Sequence, residues 1–150
     1  MKRLKYFFLV TDISFVLYWT ITLFQVIPDE FLFKDYRNPI MVSWNWSFLP
    51  IDLLISFTGL VSLYLYKKRH SAWKVLSLLS LTLTFCSGLM AISFWTLQKD
   101  FDFSWWAANL YLVIYPMFFL KGLIKDLAEG TVLGGKKRSE MASFNSSDNV

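Results

Sequence analysis

Cysteine and histidine are nearly absent from this chain of 150 residues, which has one of each, Cys86 and His70. A single cysteine excludes a disulfide within the chain. One cysteine and one histidine are also too few for a metal site unless carboxylates supply the other ligands. The sequence therefore predicts no metal centre and no other cofactor.

Charge is the second scarce property. Charged residues make up 17% of the chain, below the roughly 25% of soluble domains, and they are nearly missing from four long windows. Hydrophobic residues make up 55% and aromatic residues 19%. This combination is typical of a membrane protein. The net charge of +4 comes from residues beside the apolar windows, so we expect no nucleic-acid partner.

The four windows predict an all-α fold, an integral membrane four-helix bundle in which short connections make neighbouring spans antiparallel. The predicted spans are residues 6–27, 47–66, 75–97 and 105–124. They form one transmembrane domain, residues 1–124. Residues 125–150 are rich in Gly, Ser and Lys and predict a flexible cytoplasmic tail. The first span is interpreted as a retained membrane span and not as a cleaved signal peptide, because it is long, contains Asp12 and lacks a small-x-small cleavage site.

The distribution of Lys and Arg predicts the orientation. Twelve of the 15 lie at the N-terminus, between spans two and three, or at the end of span four and in the tail. The other two connections hold Lys34, Arg37 and Lys99. Cytoplasmic loops carry the excess of positive charge. Both termini are therefore predicted in the cytoplasm, with the spans in the bacterial plasma membrane.

The connection at residues 28–46 is unusually apolar for a loop, and we expect it to lie on the membrane surface or to cap the bundle. Trp44 and Trp46 match the aromatic belt at headgroup level.

Weakly polar and small residues recur at helical spacing on three spans and predict helix–helix contacts. In the second span the face is Asp52, Ser56 and Gly59. The first span carries Thr11, Ser14, Tyr18, Thr22 and Gln25, with Asp12 at the edge of this stripe, and the third carries Ser77, Ser80, Thr84, Ser87, Gly88 and Ala91.

Asp52 is the main candidate for a functional residue, because an intramembrane carboxylate is costly and often marks function. Helix rise places it about 8 Å below the outer boundary and Asn109 about 6 Å below it, in one layer. The functional interpretation is an outward-facing cavity that binds a proton or cation, formed by Asp52, Asn109, Tyr111 and Trp46. The structural alternative is a hydrogen bond from Asn109, from a tryptophan N–H or from nearby backbone.

Asp12 is interpreted as structural. It lies about 9 Å from the cytoplasmic boundary and Lys121 about 5 Å from it, which predicts an ion pair; a snorkelling Lys5 is the alternative. In a slab about 30 Å thick, Asp12 and Asp52 lie about 13 Å apart. They are therefore not expected to form an acid–base pair.

Several runs resemble the YvaD-like family of small bacterial membrane proteins from bacilli. They are TDISFVLYWTITLF, FKDYRNP, WNWSFLPIDLLISFTGL, LTFCSGL and WWAANLYLVIYP. The resemblance covers residues 1–124 and implies a four-span protein of the plasma membrane. It implies no activity and no functional residue.

Three functions follow as hypotheses, one of them a purely structural role in which the small stripes of spans two and three make contacts within or between chains. The first, which we prefer, is a non-enzymatic membrane protein that binds or moves a small solute, or acts as a subunit or regulator of a complex. The alternative is a lipid-active enzyme of the four-helix isomerase type, which needs two acid–base groups within reach of one lipid. The expected partners are membrane lipid and either a second copy of the chain or another membrane protein.

Overall fold

The computed structural model describes the backbone of residues 2–147 and the side chains of residues 3–130. Its helices are α1 (Lys2–Leu23), α2 (Pro39–Ser47), α3 (Leu49–Lys67), α4 (Trp73–Leu97) and α5 (Phe103–Ser147), and a 3-10 helix covers Asp29–Phe31. The described backbone contains no strand. The prediction of an all-helical fold is confirmed.

Four helical segments are long and apolar enough to cross a membrane. They are Arg3–Leu23, Pro39–Lys67, Trp73–Leu97 and Phe103–Gly130. Large apolar side chains cover their outer surfaces; Phe57 is 65% exposed and Phe118 is 78% exposed. Such surfaces suit contact with lipid chains rather than water. These features are consistent with a multi-pass membrane protein and confirm the prediction of four membrane-length helices.

The second segment is longer than predicted, because part of the expected loop at residues 28–46 is the helix α2. Asn38 caps this helix, its side-chain oxygen accepting a hydrogen bond from the amide of Ile40 at 3.0 Å. Pro39 occupies the first helical position, where its missing N–H is not needed. Only Phe48 separates α2 from α3.

The backbone of α5 stays helical past residue 124, where the fourth span was predicted to end. The flexible tail was predicted for residues 125–150. Residues 148–150, and all side chains from residue 131 onward, lie outside the described part of the chain. The flexibility of the tail stays a prediction.

Helix α3 packs between α1 and α4 through the small faces predicted from the sequence. Toward α1, Gly59 lies against the carboxylate of Asp12, and a Cβ atom at Gly59 would overlap that carboxylate. Toward α4, the hydroxyls of Ser62 and Ser77 are hydrogen-bonded at 2.5 Å. All six residues of the predicted α4 stripe are buried: Ser77, Ser80, Thr84, Ser87, Gly88 and Ala91. The predicted contact faces of α3 and α4 are confirmed.

Helix α5 approaches α4 most closely at Gly88. A Cβ atom there would lie 2.8 Å from Cβ of Leu112 and 2.9 Å from the carbonyl oxygen of Asn109. Helix α1 meets α5 through stacked rings, with 5.2 Å between the ring centres of Phe7 and Tyr115. The four long helices therefore enclose a common interior.

The glycine at this contact leads to a first prediction. Gly88→Ala should lower the free energy of unfolding by about 1–3 kcal/mol, because the new methyl group meets backbone that cannot rotate away. Unfolding of the purified protein by SDS in mixed micelles measures this change. Gly122→Ala is the matched control, since nothing lies within 4 Å of its added Cβ, and it should be neutral or stabilising by up to about 1 kcal/mol. Equal losses for the two variants would contradict the close contact at Gly88.

A second prediction concerns the start of α5. Oδ1 of Asp102 accepts hydrogen bonds from the hydroxyl and the amide of Ser104 and from the amide of Trp105. The hydrogen bond with Ser104 holds the pKa of the Asp102 carboxyl below its ordinary value. The cap is therefore complete above the ordinary pKa of 3.8 and is lost as pH falls through the lowered value.

At neutral pH we expect Asp102→Ala to speed hydrogen exchange at the amides of Ser104 and Trp105. Asp102→Asn should keep exchange slow, because asparagine caps helices about as well as aspartate. Hydrogen-exchange mass spectrometry in micelles compares the variants. Unchanged exchange in Asp102→Ala would show that this cap does not hold the first turn.

Candidate functional site

A cavity of about 270 Å³ lies among the long helices, beneath α2 and the connection that precedes it. Its polar lining consists of Ser14, Tyr18, Lys34, Asn45, Asp52, Ser87 and Asn109. Its apolar and aromatic lining consists of Phe15, Trp19, Phe33, Met41, Trp44, Phe48, Ala91, Trp95, Trp105, Ala108 and Leu112. All five α-helices contribute to it.

Asp52, in the first turn of α3, is the buried acid of this cavity, with 5% of its surface exposed. One carboxylate oxygen accepts a hydrogen bond from Nε1 of Trp19 at 3.0 Å. The other accepts from Oγ of Ser87 at 3.2 Å. Both donors are neutral. Among the described residues, no cation lies within ion-pair distance of Asp52.

This environment orients the carboxylate without neutralising it. Trp19 comes from α1 and Ser87 from α4, so the hydrogen bonds fix Asp52 against both helices that flank α3. Each carboxylate oxygen uses one of its acceptor positions. Further acceptor capacity therefore remains for a group that enters the cavity.

Aromatic rings form a large part of the cavity wall. Trp95 stacks on Trp105 with 6.1 Å between ring centres, which joins α4 to α5. Trp44 of α2 stacks on Phe94 of α4 at 4.2 Å. Ring-to-ring packing of this kind restricts the rotation of each side chain. The wall is therefore preformed rather than assembled around a ligand.

The amide of Asn45 adds a second polar group. Its side-chain oxygen accepts a hydrogen bond from the hydroxyl of Tyr18 at 2.8 Å. Its Nδ2 is buried and has no hydrogen-bond partner among the described residues. A buried amide N–H without a partner is unfavourable by about 1–3 kcal/mol. The Asn45 side chain borders the cavity, but this N–H is closed off from it.

Lys34 lies at the mouth of the cavity, in the connection between α1 and α2. Its ammonium donates to the carboxylate of Asp100, in the connection between α4 and α5, at 2.5 Å. The hydrogen bond to Asp100 raises the pKa of Lys34 above its ordinary value. Nε1 of Trp106 donates to the carbonyl of Asp100 at 2.9 Å. The two connections are thereby joined over the cavity.

The structure brings two of the four predicted binding residues to this cavity, Asp52 and Asn109. They do not bond to each other, because the Asn109 amide donates to the carbonyl of Trp105 in its own helix at 2.8 Å. Trp46 packs against Trp19, with 5.6 Å between ring centres, and is not among the cavity residues. The tryptophan N–H considered as a structural partner of Asp52 is present, and it belongs to Trp19.

Tyr111 lies in a different layer. Its hydroxyl is 3.3 Å from Oγ1 of Thr11, and its ring stacks with Phe7. It is not among the described residues that line the cavity. A binding role for Asp52 and Asn109 stays a prediction, and the structure gives no support to one for Tyr111 or Trp46.

The predicted ion pair between Asp12 and Lys121 is not formed. Asp12 is fully buried, and neither of its carboxylate oxygens has a hydrogen-bond partner among the described residues. Its side chain packs on Gly59 of α3, whereas Lys121 is exposed. The ring contacts of Phe7 with Tyr115 and Phe119 place Lys121 nearer the level of the start of α1 than that of Asp12. The two residues therefore differ both in depth and in the direction that they face.

The side chains of Asp12 and Asp52 lie in different surroundings, although the hydroxyl of Ser56 contacts the backbone of both residues. Oγ of Ser56 donates to the carbonyl of Asp12 at 3.2 Å and to that of Asp52 at 2.9 Å. The Asp12 carboxylate lies against Gly59, which is about 10 Å of helix from Asp52. Asp12 is not among the residues that line the cavity.

Sequence reasoning missed four residues of the site: Trp19, Lys34, Asn45 and Ser87. A signal existed for two of them. Ser87 belongs to the small stripe of α4 that was predicted to contact another helix, and Trp19 lies seven residues after Asp12 on the same face of α1. No sequence pattern identified Lys34 or Asn45 as site residues, since their positions depend on how residues 28–47 fold over the helices.

These features define a class of protein: a helical membrane-type protein with four membrane-length helices around an aromatic cavity that contains a buried carboxylate. The chain belongs to a family of unknown function, DUF5360, whose model matches residues 4–130. It is 54% identical over 126 residues to "Uncharacterized protein YvaD" of Bacillus subtilis (strain 168), across 84% of this chain and 95% of that protein. The family resemblance inferred from the sequence runs is confirmed. No solved structure matches the chain.

The hydrogen bond from Ser87 to Asp52 leads to a third prediction. Ser87→Ala should lower the free energy of unfolding by about 1.5–3 kcal/mol, because it removes a hydrogen bond to a buried carboxylate. In an Asp52→Asn background the same change should have less effect, and the difference is the coupling energy of the pair. SDS unfolding of the four proteins measures it. Ser93→Ala, at an exposed position of the same helix, is the control and should change stability by less than about 0.5 kcal/mol. Additive effects in the cycle would contradict the hydrogen bond.

Proposed function

We propose that this protein binds a small solute in a cavity that opens toward the outer side of the bacterial plasma membrane. The observation that supports this proposal is the cavity of about 270 Å³ around Asp52. Small-molecule sites are concave and largely apolar, with a few polar groups that orient the ligand, and they usually measure about 300–1,000 Å³. The cavity has this composition and is close to the lower end of this range, which suits a small ligand.

The proposed arrangement is a four-helix bundle with antiparallel neighbours and both termini in the cytoplasm. The excess of Lys and Arg near the termini and between α3 and α4 supports this orientation. Contacts between α1 and α3 support opposite directions, since Asp12 contacts Gly59 while Trp19 contacts Asp52. In this orientation Lys34 and Asp100 face the outside, and so does the mouth of the cavity.

The lipid-active enzyme has less support. Acid–base chemistry on a lipid needs two proton-transferring groups at one site. Asp52 is the carboxylate that lines the cavity, while the Asp12 carboxylate packs against Gly59. A binding protein needs no second acid, so solute binding accounts for the observed groups with fewer assumptions.

Thiol accessibility tests whether the cavity opens to the outside. With Cys86 replaced by serine, the variant Ala108→Cys places a thiol on the cavity wall. We expect a membrane-impermeant maleimide added to intact cells to label residue 108, because water that fills the cavity carries the reagent to the thiol. Labelling is measured by the gel shift of the tagged protein.

Leu110→Cys is the matched control, since Leu110 lies two residues along the same helix, is exposed and does not line the cavity. We expect no labelling at residue 110 until detergent replaces the lipid. Equal labelling of the two thiols, or labelling of residue 108 only in inverted vesicles, would contradict an outward-facing cavity.

A further inference from the structure

We propose that the solute bound in this cavity is a small organic cation, an ammonium compound with apolar substituents. This inference rests on the proposed function and adds the chemical class of the ligand. It follows from three properties of the described cavity: a carboxylate without a counter-ion, walls of tryptophan, and a mouth whose one lysine is already paired.

The carboxylate defines the sign of the ligand's charge. Asp52 is held by two neutral donors and has no cation within ion-pair distance among the described residues. A buried charge is unfavourable unless it is paired. An ammonium group in the cavity would pair with it. An anion would meet like charge.

The walls favour an organic cation over a metal ion. Four tryptophans line the cavity: Trp19, Trp44, Trp95 and Trp105. Tryptophan has the ring face that attracts cations most strongly, by about 2 kcal/mol or more where water is excluded. Small hard cations instead need six or more oxygen ligands, and the hydroxyl and carboxylate oxygens here are few. The alkyl groups of an ammonium compound would occupy the apolar part of the wall.

The mouth admits a cation because its positive charge is neutralised. The ammonium of Lys34 is bonded to Asp100 at 2.5 Å, so this pair contributes little net charge at the entrance. Asp52 therefore determines the net charge of the cavity.

Choline and 3,3-dimethylbutan-1-ol provide the test, because they share shape and hydroxyl group and differ only in the positive charge. Calorimetric titration of the full chain in nanodiscs measures both affinities. We expect saturable binding of choline and binding of the neutral alcohol that is weaker by about tenfold or more. Equal affinities, or no choline binding, would overturn the proposal without requiring any variant.

Variants locate the site. Asp52→Asn should weaken choline binding by about tenfold or more while leaving the affinity for the alcohol unchanged. Glu30→Gln removes an exposed carboxylate and should change neither affinity. Trp105→Leu should weaken choline binding, and Trp73→Leu, outside the cavity, should not. Equal losses for Asp52→Asn and Glu30→Gln would overturn the site by showing non-specific attraction to negative charge.

Protection of the thiol at residue 108 separates this proposal from the one on which it rests. Choline should slow maleimide labelling of Ala108→Cys at lower concentration than the alcohol does. If residue 108 is labelled from outside but choline does not slow the reaction, the cavity exists and the cation class is wrong. If residue 108 is not labelled at all, the proposed function itself is wrong.

Discussion

The fold depends on how a carboxylate is accommodated among helices that present mostly apolar surface to their surroundings. Asp52 is held by an indole N–H from α1 and a hydroxyl from α4, so the group that is hardest to bury also joins three helices. A lysine in place of either donor would neutralise the carboxylate and remove the reason for a ligand to approach. Neutral donors orient the charge and leave it available, which is the arrangement expected where an interior charge serves binding rather than stability.

Much of the architecture could be predicted from the sequence, because it follows from one-dimensional signals. The apolar windows predicted four membrane-length helices, and the small stripe from Ser77 to Ala91 predicted the buried face of α4. Helix α2 was not predicted, because the charged residues just before it favoured a loop, although Asn38 and Pro39 are a typical helix start. Only part of the site was predicted, because helix rise gives the depth of a residue in the membrane but not the neighbouring helix that its side chain faces. The Asp12 side chain faces α3 while Lys121 is exposed, and Trp19 could not be assigned to Asp52 without the relative position of α1 and α3.

The two buried aspartates show how environment separates residues of the same type. Asp12 lies where α1 and α3 approach so closely that its neighbour must be glycine, and this leaves no room for another molecule. Asp52 lies where bulky rings hold the helices apart, and a cavity remains. Residue size on the facing helix therefore decides whether a buried acid packs only against a neighbouring helix or also borders a cavity.

The pair between Lys34 and Asp100 joins the two connections above the cavity, and both side chains are partly exposed, at 38% and 27%. An ion pair in contact with water is weakened by dissolved salt, which screens charges over about 8 Å at physiological ionic strength. The strength of the Lys34–Asp100 pair therefore depends on the salt concentration of the medium that it contacts. In the proposed orientation, this pair holds the two connections together more firmly in dilute medium than in brine, without any change in the residues beneath.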